Sequence, residues 1–191
     1  MRPDEIRARL ASTCPPVDLG RLFSEPGVPA AVLIGLVDHP QGPGVILTHR
    51  QPFLKNHAAE ISLPGGSVEP ADGHPQTTAL RETFEEVGLS AERVELLGCL
   101  APYMTVSDFR VYPFVGWIEP PVEFKLDARE VSEVFELPLS FVLDTANHQR
   151  ESALLNGRHR EYWVLDYPGH RIWGATAEIL IELARRLSTS G

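Results

Sequence analysis

Cysteine is almost absent. The 191 residues hold two, Cys14 and Cys99, too few and too far apart for a disulfide framework or a zinc cluster. Two reduced thiols in a cytosolic protein are the expectation. Basic residues are in deficit as well: Lys and Arg number 17 against 26 Asp and Glu, a formal charge of −9, and there is no basic run. A chain so acidic is a poor candidate for gripping a nucleic-acid phosphate backbone by charge alone. Anionic ligands must then be met by local basic groups or by metal ions. No stretch approaches the ~18–20 apolar residues of a membrane span. The first residues, MRPDEIRARLAST, are charged throughout and lack the apolar stretch of a secretory leader. Repeats and low-complexity segments are also missing. The expectation is a cytoplasmic protein that engages neither membrane nor nucleic acid, its 191 residues forming a single domain.

What the chain does have is punctuation. Seventeen Pro and 15 Gly cut it into short elements. Pro3–Ala11 reads as a short amphipathic helix, ended by Cys14-Pro15-Pro16. Ala30–Val37 (AAVLIGLV) is a continuous apolar run, the pattern of a strand buried on both faces. Val45–Leu47, Val94–Leu100, Val111–Ile118 and Trp163–Tyr167 are further strands. Pro75–Val87 reads as a helix, with Pro in the first turn and Gly88 as its stop. A last helix runs from Trp173 to Leu187. Its stripe of Trp173, Ala177, Leu180, Ala184 and Leu187 recurs at helical spacing and faces the core. Strands interleaved with few helices give an α/β (α+β) sandwich.

Chemistry concentrates between Leu63 and Leu89. On the 75–87 helix, Glu82 stands three residues before Glu85 and four before Glu86, so three carboxylates share one face. Like charges at that spacing cost about 0.2–0.5 kcal/mol per pair. Arg81 balances part of this, reaching Glu85 at the four-residue spacing. A hard divalent cation answers the rest, since Mg²⁺ takes oxygen ligands from one or two carboxylates plus substrate phosphates. The Gly65-Gly66 turn ahead of the helix admits close backbone approach to a metal or phosphate.

This stretch resembles the signature box of Nudix hydrolases. Gly66, Arg81, Glu82, Glu85, Glu86, Gly88 and Leu89 match, spanning about residues 66–89. The box is one residue longer than usual, Asp72 takes the upstream acidic place, and Thr83 stands where an apolar residue is typical. The flanks resemble the coenzyme A pyrophosphatase branch: Leu47-Thr48-His49-Arg50, then Lys55 to Gly66, VYPFVG at 111–116, EVSEVFELPL at 130–139 and IWGATAEIL at 172–180. Against that branch, Lys55 replaces Arg, Ala59 replaces Gly and Leu63 replaces Phe.

The resemblance implies an α/β/α sandwich with a mixed β-sheet between helices, preceded by a helical extension over about residues 1–23. It also implies Mg²⁺- or Mn²⁺-dependent hydrolysis of a pyrophosphate bond, most specifically coenzyme A or its derivatives to 3′,5′-ADP and 4′-phosphopantetheine. Glu82 and Glu86 are the expected metal ligands, with Glu85 sharing the cluster, the Gly66 carbonyl as a backbone ligand and Arg81 orienting Glu85. Arg50, Lys55 and His57 would contact substrate phosphates. The water-activating base would be a carboxylate of the cluster or one outside the box, with Glu130 and Glu133 as the outside candidates.

Other residues carry less. His39, His74, His148, His159 and His170 lack metal-ligand spacing and read as surface or structural. Trp117, Trp163 and Trp173 read as core. The alternative activities are a pyrophosphatase for ADP-ribose or another nucleoside-diphosphate sugar and, in a different class, a catalytically silent ligand sensor. Intact Glu82, Glu85 and Glu86 argue against the sensor, which has no need of a self-repelling cluster. The expected partner is a small nucleotide; homodimer formation stays open.

Overall fold

The computed structural model describes residues 1–10, 16–54, 58–155 and 158–188. Cys14, Lys55 and His57, all singled out in the sequence, lie outside these. Strand β1 (Val28–Val37) anchors the architecture. Its alternating side chains enter different cores: Ala31 and Leu33 pack with Ala79, whereas Ala30, Ile34 and Leu36 pack with Ile6, Leu10 and Leu180. A period of two with both faces apolar is why the run reads as continuous hydrophobicity.

Around β1 lie β2 (Gly44–Arg50), β3 (Ile61–Ser62), β4 (Gly65–Ser67), β5 (Val94–Cys99), β6 (Tyr103–Met104), β7 (Phe109–Ile118) and β8 (Val131–Pro138). They form an eight-stranded sheet along the path β3-β2-β1-β7-β5, with β4 paired to β1, β6 to β7 and β8 to β2. β1 and β7 run parallel in register over ten residues, from Val28 opposite Phe109 to Val37 opposite Ile118; the other pairs are antiparallel. Helix α1 (Pro3–Leu10) covers one face, and α2 (Pro75–Val87) covers the other. The short α3 (Leu139–Leu143) follows β8. A second, antiparallel sheet of β9 (Gln149–Leu155), β10 (Arg158–Tyr167) and β11 (His170–Trp173) leads into α4 (Gly174–Ser188), which lies on the α1 side. The expected sandwich with a mixed sheet between helices is present. No helix among the described residues is long and apolar enough to cross a membrane.

Helix α2 keeps the bounds that its residues dictate. His74 caps it, its Nδ1 accepting from the Gln76 amide at 3.0 Å, and Pro75 follows as the first helical residue. Gly88 ends it at φ +75°, its N–H donating to the Phe84 carbonyl.

Four expectations need correction. Trp173 belongs to β11, opposite Val164, and is 37% exposed against Tyr162. The turn at Gly174 (φ +62°) breaks the stripe drawn through it. Among the described residues of the 1–23 extension, Pro3–Leu10 is helical and residues 19–24 form turns. Cys99 is disulfide-bonded rather than a reduced thiol. Finally, β8, β9 and β11 had no strand assigned to them, because their side chains alternate poorly or stay half-exposed.

Candidate active site

The site grows from α2. Its buried stripe runs through Pro75, Thr78, Ala79, Thr83, Glu86 and Val87, which puts Glu86 on the face turned to the sheet. Thr83 fits this face despite its hydroxyl because Oγ1 donates to the Ala79 carbonyl one turn earlier, at 2.6 Å. The three carboxylates are therefore unequal. Glu86 is 3% exposed, Glu82 is largely buried and Glu85 faces solvent.

Opposite them, β4 pairs with β1 through Gly65 and Gly66. A Cβ on Gly65 (φ +156°) would sit 2.2 Å from the Ala31 carbonyl oxygen, and one on Gly66 would sit 2.5 Å from the Glu82 carboxyl carbon. Only glycine lets the strand and the helical carboxylate approach this closely. The Gly65 amide donates to Glu86 Oε2 at 3.3 Å.

Arg81 organises the solvent side. Its Nε and Nη2 grip both oxygens of Asp72 at 2.8 and 3.0 Å, and its Nη1 reaches Glu82 at 2.8 Å and Glu85 at 3.2 Å. Arg81 thus contacts Glu85 at the longer distance, and its principal anchor is Asp72. Asp72 also accepts from Thr78 Oγ1 at 2.7 Å and the Glu69 amide at 2.9 Å. Arg81 above all, with these two donors, holds the Asp72 carboxyl well below the usual carboxylate range. Asp72 in turn, and Glu82 after it, push the guanidinium up. The sequence signal for Asp72 was its place nine residues before Arg81, next to Gly73; it named an acid there without its partner.

Burial acts the other way on the metal-ligand candidates. It raises Glu82, against the hydrogen bond from Arg81, and pushes Glu86 up to about 8, against Arg50 and the Gly65 amide. Glu130 adds like-charge repulsion to both. It is held there by a loop that serves the end of α2: the Lys125 and Asp127 amides donate to the Val87 and Glu86 carbonyls, and the Glu130 amide to the Asp127 carbonyl. Its own carbonyl accepts from the Gln51 amide.

Of the expected phosphate contacts Arg50, Lys55 and His57, Arg50 alone is among the described residues. Arg50 follows Ile46 and Thr48 on the α2 side of β2, and its Nη1 donates to Glu86 Oε1 at 3.4 Å. His49 points the opposite way, with Nδ1 3.7 Å from Glu133. Glu133 lies 3.2 Å from His170 Nε2, and His170 stacks on Phe135 at 3.7 Å. Of the two outside carboxylates, Glu130 adds like-charge repulsion to Glu82 and Glu86, whereas Glu133 is engaged by histidines.

The donor set of Glu82, Glu85 and Glu86 beside a backbone turn consists of hard oxygens and fits a divalent cation of the Mg²⁺ class. Among the described residues no three His, Cys, Asp or Glu side chains already converge as a cage. Glu82 and Glu85 are drawn to Arg81, and Glu86 to Gly65 and Arg50.

Comparison with known proteins agrees with this geometry. The family model described as "NUDIX domain" matches residues 28–156. A Klebsiella pneumoniae protein, "Uncharacterized Nudix hydrolase NudL", is 39% identical over 158 residues, covering 83% of this chain and 82% of that one. Among solved structures, the Nudix hydrolase RenU of M. smegmatis has a TM-score of 0.51 at 21% identity, over 59% of this chain and 71% of its own. The NUDIX domain of Shewanella oneidensis NrtR, complexed with ADP ribose, scores 0.53 at 17% identity, over 91% and 100%. With more than half its length matched by the family model and a relative so similar over most of both chains, the chain belongs to the Nudix family and is a Nudix diphosphatase.

Proposed function

We propose that this diphosphatase is a divalent-metal-dependent hydrolase of coenzyme A or its derivatives, yielding 3′,5′-ADP and 4′-phosphopantetheine. The observation that carries the site is the buried Glu86 beside Glu82, both facing the Gly65-Gly66 strand. The substrate rests on the branch-specific blocks around Leu47–Arg50 and on the one-residue-longer box. Nudix hydrolases generally use divalent ions, and a bound ion would neutralise phosphoryl oxygens and lower the pKa of a water ligand.

The chain's own residues supply the rest. Glu82 and Glu86, with Glu85 and the Gly66 carbonyl, would hold the ion, Mg²⁺ or Mn²⁺. Arg81, locked on Asp72, fixes Glu82 and limits the swing of Glu85. Glu130 accepts the proton of the attacking water. One phosphorus–oxygen bond forms to the water oxygen and one breaks to the bridging oxygen, which leaves on the other phosphate. Arg50, Lys55 and His57 make the substrate's phosphate contacts.

The test is incubation with Mg²⁺ or Mn²⁺ and a panel of coenzyme A, ADP-ribose, NADH and diadenosine polyphosphates, with products identified by mass. Preferred release of 3′,5′-ADP from coenzyme A supports the reading. Preferred cleavage of ADP-ribose, the ligand held by the NrtR domain, overturns the substrate and leaves the diphosphatase chemistry standing.

A further inference from the structure

Arg50 is a poorly satisfied cation. A guanidinium carries five N–H donors, yet the only hydrogen bond found for this one among the described residues runs from Nη1 to Glu86 at 3.4 Å. Its Nε is buried without an acceptor. Glu86 fares no better. At 3% exposure it accepts, among the described residues, only from Arg50 and from the Gly65 amide at 3.3 Å, whereas charge-assisted bonds normally run about 2.7–2.9 Å. Arg81, five residues earlier on α2, uses all three of its nitrogens. A buried ion pair recovers its desolvation only through close geometry and supporting hydrogen bonds, and the Arg50–Glu86 pair has neither. The backbone beneath it is also irregular. The β2–β8 register shifts between His49 and Arg50, leaving Ser132 as the extra residue. Such bulges re-aim side chains beside sites.

We propose that Arg50 and a divalent cation are alternative partners of the Glu86 carboxylate, and that the guanidinium displaced by the cation takes phosphoryl oxygens of the substrate. The inference rests on the diphosphatase reading and names the residue that couples its two ligands. A dication attracts Glu86 with twice the charge and repels the guanidinium over the same few ångströms. The planar fork thus freed matches a phosphate's oxygens. Arg50 accordingly opposes metal binding and favours the diphosphate. A residue that only supports the fold would not give these opposite signs.

The experiment measures Mn²⁺ binding to the full chain by the paramagnetic resonance of the free ion, with methylenediphosphonate as a non-hydrolysable probe. Arg50→Ala is expected to bind Mn²⁺ at least tenfold more tightly than the unsubstituted protein. In saturating Mn²⁺ it is expected to bind methylenediphosphonate at least tenfold more weakly. Arg50→Lys, which keeps the charge without the fork, should stay near the parent for Mn²⁺ and fall between the two for the probe. In a Glu86→Gln background, removing Arg50 should leave Mn²⁺ affinity within twofold, because the contested carboxylate is gone. Should Arg50→Ala fail to fold, Arg50→Gln carries the same expectations. Equal or weaker Mn²⁺ binding without Arg50, or unchanged probe affinity, overturns the inference alone. Absence of Mn²⁺ binding in every protein overturns the metal reading and the inference with it.

Discussion

The Arg81 guanidinium and the Asp72 carboxylate meet edge to edge, at 2.8 and 3.0 Å, across a nine-residue separation that spans the start of α2. The bidentate pair fixes the plane of Arg81 and leaves Nη1 for Glu82 and Glu85.

Asp72→Asn should therefore damage both stability and rate. Charged hydrogen bonds are worth about 1.5–3 kcal/mol each, part of which the amide retains, so a loss of about 2 kcal/mol is expected in urea denaturation. A kcat lower by tenfold or more should accompany it as Glu82 loses its fixed neighbour. Asp72 lies below the ordinary aspartate value of 3.8 in the folded state. Its contribution is fully present above that value and disappears as pH falls through the lowered one, so the parent–variant difference should shrink only below about pH 4. An unchanged denaturation midpoint at pH 7 would show that Arg81 needs no anchor.

Glu86 has the opposite sign. Burial raises its folded pKa from 4.5 to about 8, so in chelator its charging destabilises the fold progressively between those values. Glu86→Gln should raise Tm in EDTA at pH 8–9, and the gain should vanish near pH 5, where the parent carboxyl is already neutral. With metal present the same variant should lose about 10²–10⁴ in rate, since removing a ligand forfeits several kcal/mol of charge stabilisation. A Tm gain independent of pH would contradict the burial argument.

The two outside carboxylates should separate kinetically. Glu130 acts on Glu82 and Glu86, whereas Glu133 is bonded to His170. Glu130→Gln is expected to lower kcat about 10²–10³-fold with little change in KM, the range of a lost general base. Glu133→Gln should change it less than threefold. Comparable losses in both would mean that neither is the base.

Much of this was readable in the residues. Pro75 and Gly88 bound α2 because one lacks the N–H that a first turn leaves unused and the other accepts positive φ, both local properties. The apolar run of β1 announced a two-faced strand for the same reason. The acidic triplet announced the site, but not that Glu86 turns inward, which depends on sheet packing; the lone hint was Thr83 on the same stripe. Val45–Leu47 read as the opening of β2, which left the facing of His49 and Arg50 undetermined. Once the strand reaches Arg50, its two-residue period sends them to opposite faces. The β9–β11 sheet was mostly illegible, since half-exposed strands such as QRESALL carry little apolar alternation.

The ten-residue parallel register of β1 with β7 has a dynamic consequence. Gly65 and Gly66 hang on β1, and Ala79 of α2 packs on its Ala31 and Leu33. The glycine strand and the carboxylate-bearing helix are thus both seated on one member of the most extensively paired strand couple in the sheet. Amide protons of β1 and β7 are expected among the slowest to exchange with solvent, which hydrogen-exchange mass spectrometry would check. The motions that admit and release ligand are left to side chains and to the surrounding loops.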